Sequence, residues 1–201
     1  MVAKRSGRKP RRRFERMTKK VRRRIQRIVR TVIREKKLRV TVALVIRYKK
    51  TDMMLVIKSA HTEAGGNPGL VKGGVEINET VIEAAYREAQ EEVGIARRHL
   101  KVVGYGGTGR VRSLRSKHGF TEKKYIILLV EYDGPIAVRI NENEIYWAGW
   151  MRLDDAAQLF HQLQESRPSK AALLFRVLKM FALKVGLPKW QVSAEGPRID
   201  R

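Results

Sequence analysis

Two hydrophobic rhythms alternate along this chain. Phe14, Met17, Val21, Ile25, Ile28, Val29, Val32 and Ile33 recur at helical spacing, with Arg and Lys on the remaining faces. That pattern predicts an amphipathic helix. Residues 38 to 47, Leu-Arg-Val-Thr-Val-Ala-Leu-Val-Ile-Arg, are rich in β-branched side chains and predict a buried strand. The polar break Tyr48 to Asp52 turns it into a second strand, Met53 to Lys58. A Gly- and Pro-containing loop, Ser59 to Gly69, leads to Leu70-Val71-Lys72. A second helix is bounded by Thr80 and Glu83, which form a capping-box pair, and by Gly94 at its end. Val81, Ala85, Ala89 and Val93 make its apolar face. Leu100 to Tyr105 and Tyr125 to Tyr132 read as further strands, with Ile136 to Ile140 as another. Asp154 to Gln164 and Ser169 to Val185 are helical by periodicity, separated by Arg167-Pro168, and the tail from Gly186 is irregular. No internal repeat is visible.

Charge divides this plan into segments. The chain has 201 residues, 44 of them Lys or Arg and 20 Asp or Glu, for a formal net charge of +24. Eighteen of the basic residues lie in the first 37 positions, against only Glu15 and Glu35. Residues 1–37 therefore form a basic extension, a disordered start followed by the amphipathic helix; 38–185 form one catalytic-sized domain, and 186–201 a tail. The extension has three readings. It docks its apolar stripe on the domain and presents charge to RNA, it meets an anionic membrane or a partner protein, or it is a targeting or solvated segment. With no Cys there is no disulfide framework, thiol nucleophile or Cys-ligated zinc. No apolar run is long enough for a membrane span and no signal-peptide core is present, so a cytoplasmic location is expected, with organelle targeting left open.

The chemistry concentrates in residues 73 to 95. Glu88, Glu91 and Glu92 stand at i, i+3 and i+4, which gathers three carboxylates on one helix face. Like charges repel, so a merely structural helix gains nothing from them. A hard divalent cation does use such oxygens and keeps positions for water and phosphate. Gly73, Glu79, Arg87-Glu88, Glu91-Glu92, Gly94 and Ile95 also follow the spacing of the Nudix box, so the segment resembles the Nudix hydrolase family. The one departure is Ala89, where that family prefers a larger aliphatic residue.

This resemblance covers roughly residues 38 to 160 and implies an α/β (α+β) fold, the Nudix αβα sandwich with a mixed β-sheet, here carrying a basic N-terminal helix and C-terminal helices. It implies Mg²⁺-dependent hydrolysis of a phosphoanhydride bond, with Mn²⁺ as an alternative cation. Glu88, Glu91 and Glu92 would be metal ligands, joined by the Gly73 carbonyl. Glu91 or Glu88 would orient or deprotonate the water, and Arg87 would pair with Glu79 to hold the carboxylates. Glu144 and Glu142, or Glu122, are candidates for an extra base or ligand, against the commoner role of loop carboxylates. Lys72, Arg39 and Lys58 are candidates for substrate phosphate. Arg110, Arg112, Arg115, Lys123 and Lys124 could add a basic wall, and His118 a phosphate contact. Tyr146 and Trp147 are read as packing residues before base-stacking ones. Gly104, Gly106 and Gly109 match Gly-x-Gly-x-x-Gly, but no helix pattern follows, which favours a strand bulge over a dinucleotide site. The branch resembled handles dinucleoside polyphosphates, RNA 5′-triphosphate ends and diphosphoinositol polyphosphates. The expected substrate is thus a nucleoside polyphosphate or RNA 5′ end. Alternatives are a diphosphoinositol polyphosphate, or no catalysis at all in a Nudix scaffold that binds RNA or ribonucleoprotein.

Overall fold

The computed structural model describes residues 15–16, 18–34, 39–60, 66–115 and 119–187. Among these described residues, eight strands and four α-helices follow one another as β1 (Glu15–Arg16), α1 (Lys19–Arg34), β2 (Arg39–Tyr48), β3 (Met54–Ser59), β4 (Pro68–Gly69), β5 (Val71–Gly74), α2 (Val81–Val93), β6 (Leu100–Arg115), β7 (Gly119–Tyr132), β8 (Ile145–Met151), α3 (Leu153–His161) and α4 (Pro168–Lys184). A single 3₁₀ turn, Arg97–His99, joins α2 to β6.

The strands form one mixed sheet in the order β1-β6-β7-β2-β3-β4, with β5 also on β2 and β8 also on β3. β2 runs parallel to β7 and antiparallel to β3 and β5. Its near-continuous apolar sequence follows from burial on both sides. Val40, Val42, Leu44 and Ile46 face one core, shared with α2 and with Ile25 of α1. Ala43 and Val45 face the other, shared with α3 and α4. Helices thus cover both faces, the expected αβα sandwich with a mixed sheet. Ile25 is 4% exposed, so α1 is docked there at this position of its stripe, with Val21 packed beside it. The segment 1–14 lies outside the described residues.

Two expectations need correction. β6 and β7 extend to Arg115 and back from Gly119, a hairpin far longer than the two short apolar runs suggested. The three glycines lie along β6, which is bulged between Val102 and Gly104 and between Tyr105 and Gly107. Bulges absorb residues that an apolar pattern cannot score. Ile136 to Ile140 is not a strand. Its backbone serves other elements: the Arg139 N–H donates to the Val93 carbonyl at the end of α2, and the Ile136 carbonyl accepts from Trp150 Nε1. Val138 and Ile140 pack on the core without entering the ladder.

Candidate active site

α2 is fixed at both ends by its own sequence. Thr80 Oγ1 accepts from the Glu83 N–H at 3.1 Å while Glu83 Oε2 accepts from the Thr80 N–H at 2.7 Å, the reciprocal capping box. At the other end Gly94 takes φ 66°, a left-handed conformation natural to glycine, and its N–H closes the last turn. Val81, Ala85, Ala89 and Val93 are buried beneath the helix as expected, with Ala84 beside them. Ala89 is fully enclosed, so the small residue at the variant box position is a packing feature remote from solvent.

This docking forces two carboxylates inward. Glu88 is 7% exposed and Glu92 4%. Gly73, next to them in β5, has no side chain because a Cβ there would collide with the Glu88 carboxylate. Glu92 Oε2 accepts from the Lys72 N–H at 3.0 Å, and Lys72 Nζ lies 3.8 Å from Glu92 Oε1. Burial raises Glu92 to about 7, opposed by Lys72 and reinforced by the charges of Glu88 and Glu144. Burial also raises Glu88; Arg87 opposes it, and Glu91 and Glu144 add to it. These are carboxylates whose charge the protein alone compensates poorly.

Arg87 organises the group. Nε donates to Glu79 Oε1 at 2.9 Å and Nη2 to Glu79 Oε2 at 3.0 Å, a two-pronged pair. Nη2 also donates to the Gly74 carbonyl at 2.8 Å, tying the helix to the glycine loop. Nη1 donates to Glu88 Oε1 at 2.7 Å and to Glu91 Oε2 at 2.8 Å. The Glu79 pair, with Glu91 and Glu88 adding to it, holds the guanidinium well above its ordinary pKa. Glu79 is itself positioned by the Glu76 N–H.

The structure brings Gly73, Glu79, Arg87, Glu88, Glu91 and Glu92 together, and the charge of Glu144 bears on Glu88 and Glu92. Among the described residues, the carboxylates are not drawn into a closed metal cage, and Nη1 of Arg87 lies between Glu88 and Glu91. Buried, undercompensated carboxylate oxygens beside a glycine that makes room for them nevertheless suit a hard divalent cation. Glu142 is exposed in the turn that precedes β8, and the neighbouring Glu144 is the member of that pair whose charge reaches the site. Lys58 is half-buried in β3, opposite Pro68 and Trp147. Arg39 lies opposite Lys123 in the ladder. The side chains of Arg39, Arg112, Arg115 and Glu122, and all of His118, lie outside what is described. Trp147 packs on the α3–α4 core, whereas Tyr146 is 64% exposed. Sequence reasoning missed Lys170, whose ammonium is lowered by burial and then by the charges of Lys72, Arg167 and Lys123, and Tyr125, on whose hydroxyl Arg167 bears. Arg167 read only as a helix break and Lys170 as an ordinary polar helix position, so no linear signal marked them.

Fold and geometry together define an αβα protein with a glycine loop, an arginine clamp and a carboxylate-bearing helix. A family model described as NUDIX domain matches residues 37–174, and the chain belongs to that family. It is 28% identical over 116 residues to the NAD-capped RNA hydrolase NudC of Chromobacterium violaceum, an alignment covering 58% of this chain and 39% of that protein. The chain thus spans well under half the length of this curated relative. Two solved structures share the fold. A C. elegans Ap4A hydrolase binary complex has a TM-score of 0.53 at 20% identity, covering 72% of this chain and 98% of that one. The E. coli dihydroneopterin triphosphate pyrophosphohydrolase has a TM-score of 0.54 at 19% identity, covering 73% and 98%.

Proposed function

We propose that this chain is a divalent-cation-dependent hydrolase of the diphosphate bond in nucleotide derivatives, with a nucleoside polyphosphate or an RNA 5′ end as its substrate. The observation that carries this reading is the burial of Glu88 and Glu92 beside Gly73, with Arg87 holding Glu79, Glu88 and Glu91 in one network. Family membership and the NudC relative, whose name concerns NAD-capped RNA, support the reaction class.

Glu88, Glu91 and Glu92, with the Gly73 carbonyl, would hold Mg²⁺, or Mn²⁺ in its place. When bound, such a cation neutralises phosphate oxygens and lowers the pKa of water. The chain's residues divide the remaining work. Arg87 is a positioning residue: anchored on Glu79 and Gly74, it fixes the rotamers of Glu88 and Glu91. Glu91 is half-exposed at the mouth of the site and is suited to orient the attacking water and take its proton. Glu144 supplies a further carboxylate from the loop before β8. The exposed cations of α1, Arg22, Arg23 and Arg24 among them, would meet the polymer part of an RNA substrate.

A broad panel of phosphoanhydrides, assayed with Mg²⁺ for released phosphate, diphosphate and nucleotide, tests the reading. Hydrolysis of at least one nucleotide derivative is expected, and it should vanish in the doubly substituted Glu91→Gln, Glu92→Gln protein. Activity that survives the double substitution would put the chemistry elsewhere. A wholly silent panel would leave a Nudix fold that binds without cleaving.

A further inference from the structure

One segment ties the carboxylate helix to the turn that bears Glu144. Pro135 to Asn141 leaves β7 as irregular chain, yet it is anchored along its length. The Tyr132 hydroxyl donates to the Pro135 carbonyl at 2.6 Å, and Trp150 Nε1 donates to the Ile136 carbonyl at 2.6 Å. Val138 and Ile140 pack on the core shared with α2. The Arg139 N–H then donates to the Val93 carbonyl at 3.2 Å, and the Asn141 N–H to the carbonyl of Glu92 itself at 3.1 Å. These are carbonyls at the end of α2, which no helical N–H can reach. The segment takes both.

Asn141 next organises the turn into β8. The Glu144 and Ile145 N–H groups donate to its carbonyl at 3.0 and 2.8 Å, and the Asn143 N–H donates to its Oδ1 at 3.2 Å. Such an Asx turn uses a short side-chain oxygen in the place of a backbone carbonyl. On the far side the Glu144 carbonyl accepts from the Ala60 N–H, just beyond β3, at 2.8 Å. Glu144 is exposed, yet its own N–H and C=O are both held. Its side chain thus leaves a fixed backbone, joined to Glu92 through one intervening residue, and its charge bears on Glu88 and Glu92. Fixing an exposed turn costs conformational entropy, and setting a carboxylate there near two others adds repulsion. A cation received among them turns that repulsion into attraction.

We propose that Asn141 is a positioning residue of the candidate metal site: hydrogen-bonded to Glu92 on one side and to the turn 142–145 on the other, it fixes where the Glu144 carboxylate stands relative to those of α2. This deepens the hydrolase reading and rests on it for the kinetic consequence. The consequences for cation binding and for the turn need no catalysis. Asn141 touches neither substrate nor cation and acts through Glu144.

Mn²⁺ alone is titrated into the full chain, without nucleotide, and the free ion is read by its electron paramagnetic resonance signal. Asn141→Leu keeps the backbone donor and loses Oδ1; it should weaken Mn²⁺ binding about 10-fold, the effect of removing a group that orients a ligand. Glu144→Gln should weaken it similarly, and the double variant should match Glu144→Gln within about twofold, because a residue acting through another adds nothing once that one is gone. Asn143→Ala keeps its backbone N–H at an exposed position and is the control, with a change below about twofold. Asn141→Ser, whose hydroxyl makes the same turn more weakly, should recover part of the loss. Amide exchange read by NMR in the metal-free chain should quicken at Asn143, Glu144 and Ile145 in Asn141→Leu, while α2 keeps its protection. With Mg²⁺ and a hydrolysed nucleotide, Asn141→Leu should lower kcat about 10-fold and leave KM within about threefold. Asn141→Leu indistinguishable from Asn143→Ala, additive losses in the double variant, or unchanged exchange in the turn would each overturn the proposal. A wild-type chain that binds Mn²⁺ but hydrolyses nothing removes the hydrolase reading alone, and binding and exchange still decide the role of Asn141. A wild-type chain that takes up no Mn²⁺ overturns the proposal together with the cation dependence of that reading.

Discussion

Glu92, buried, and Lys170, partly buried, carry opposite charges and the same physical problem, since loss of solvent penalises each ion. For Glu92, Gln keeps the shape and the acceptor for the Lys72 N–H while removing the charge that burial penalises. Glu92→Gln should therefore lower turnover about 100-fold or more while thermal stability stays level or rises; a collapse in stability would mean the carboxylate is a structural necessity. Arg87→Lys keeps a charge but loses the planar fork that serves Glu79, Gly74, Glu88 and Glu91 together. A kcat loss of about 10- to 100-fold with little change in substrate KM is expected, read from steady-state kinetics at several Mg²⁺ concentrations. Lys170 makes a pH prediction. Its folded pKa, about 7, lies below its unfolded value, so the unfolded chain binds more protons between the two. Its contribution to stability therefore improves as pH rises from about 7 toward about 10.4, the ordinary value for lysine. The groups facing it are Lys72, Lys123, Arg167 and Tyr125. Lys170→Met should accordingly raise Tm at pH 7 and lose that advantage by pH 10. A constant difference across this range would contradict the assigned burial.

Elements explain why these residues hold their places. Removing the cap of α2 by Thr80→Ala should cost about 1 kcal/mol, read as a lower midpoint in denaturant unfolding with an unchanged slope. Gly94 is more demanding, because its φ of 66° is left-handed and a Cβ would stand 2.8 Å from the Arg139 carbonyl oxygen. Both ends of α2 were legible as local chemistry: Thr80, Glu83 and Gly94 act on backbone groups within a turn of themselves. The β6–β7 hairpin was not, because its register depends on bulges at glycines and on pairing across the whole of Gly119–Tyr132. Ile136 to Ile140 misled for a related reason. Its apolar positions alternate as a strand's do, yet its backbone is used by Val93 and Trp150 rather than by a neighbouring strand.

At the scale of the molecule, the sheet separates two electrostatic settings. On one side α2 brings carboxylates to the glycine loop; on the other α4 lays Lys170 beside Gly69, where the charge of Lys72 bears on it, and Lys72 also pairs with Glu92. α1 adds a basic surface whose apolar side is anchored by Ile25. Arg22→Gln, Arg23→Gln and Arg24→Gln together leave that anchor in place. They should weaken binding of a single-stranded RNA and reduce its salt slope by up to about 2, with Tm unchanged. An unaltered slope would remove RNA from the role of α1. Of this protein, residues 73 to 95 alone determined the carboxylate helix, its caps and its family, because a carboxylate pattern and a capping box are set by spacing over a few turns. Tertiary structure alone decided that Glu144 rather than Glu142 bears on the carboxylates, that α1 is docked through Ile25, and that the charges of Lys72 and Arg167 bear on Lys170. Those relations link residues far apart in the chain, and only the folding of β5, β7, β8 and α4 around a common sheet brings their charges within reach of one another.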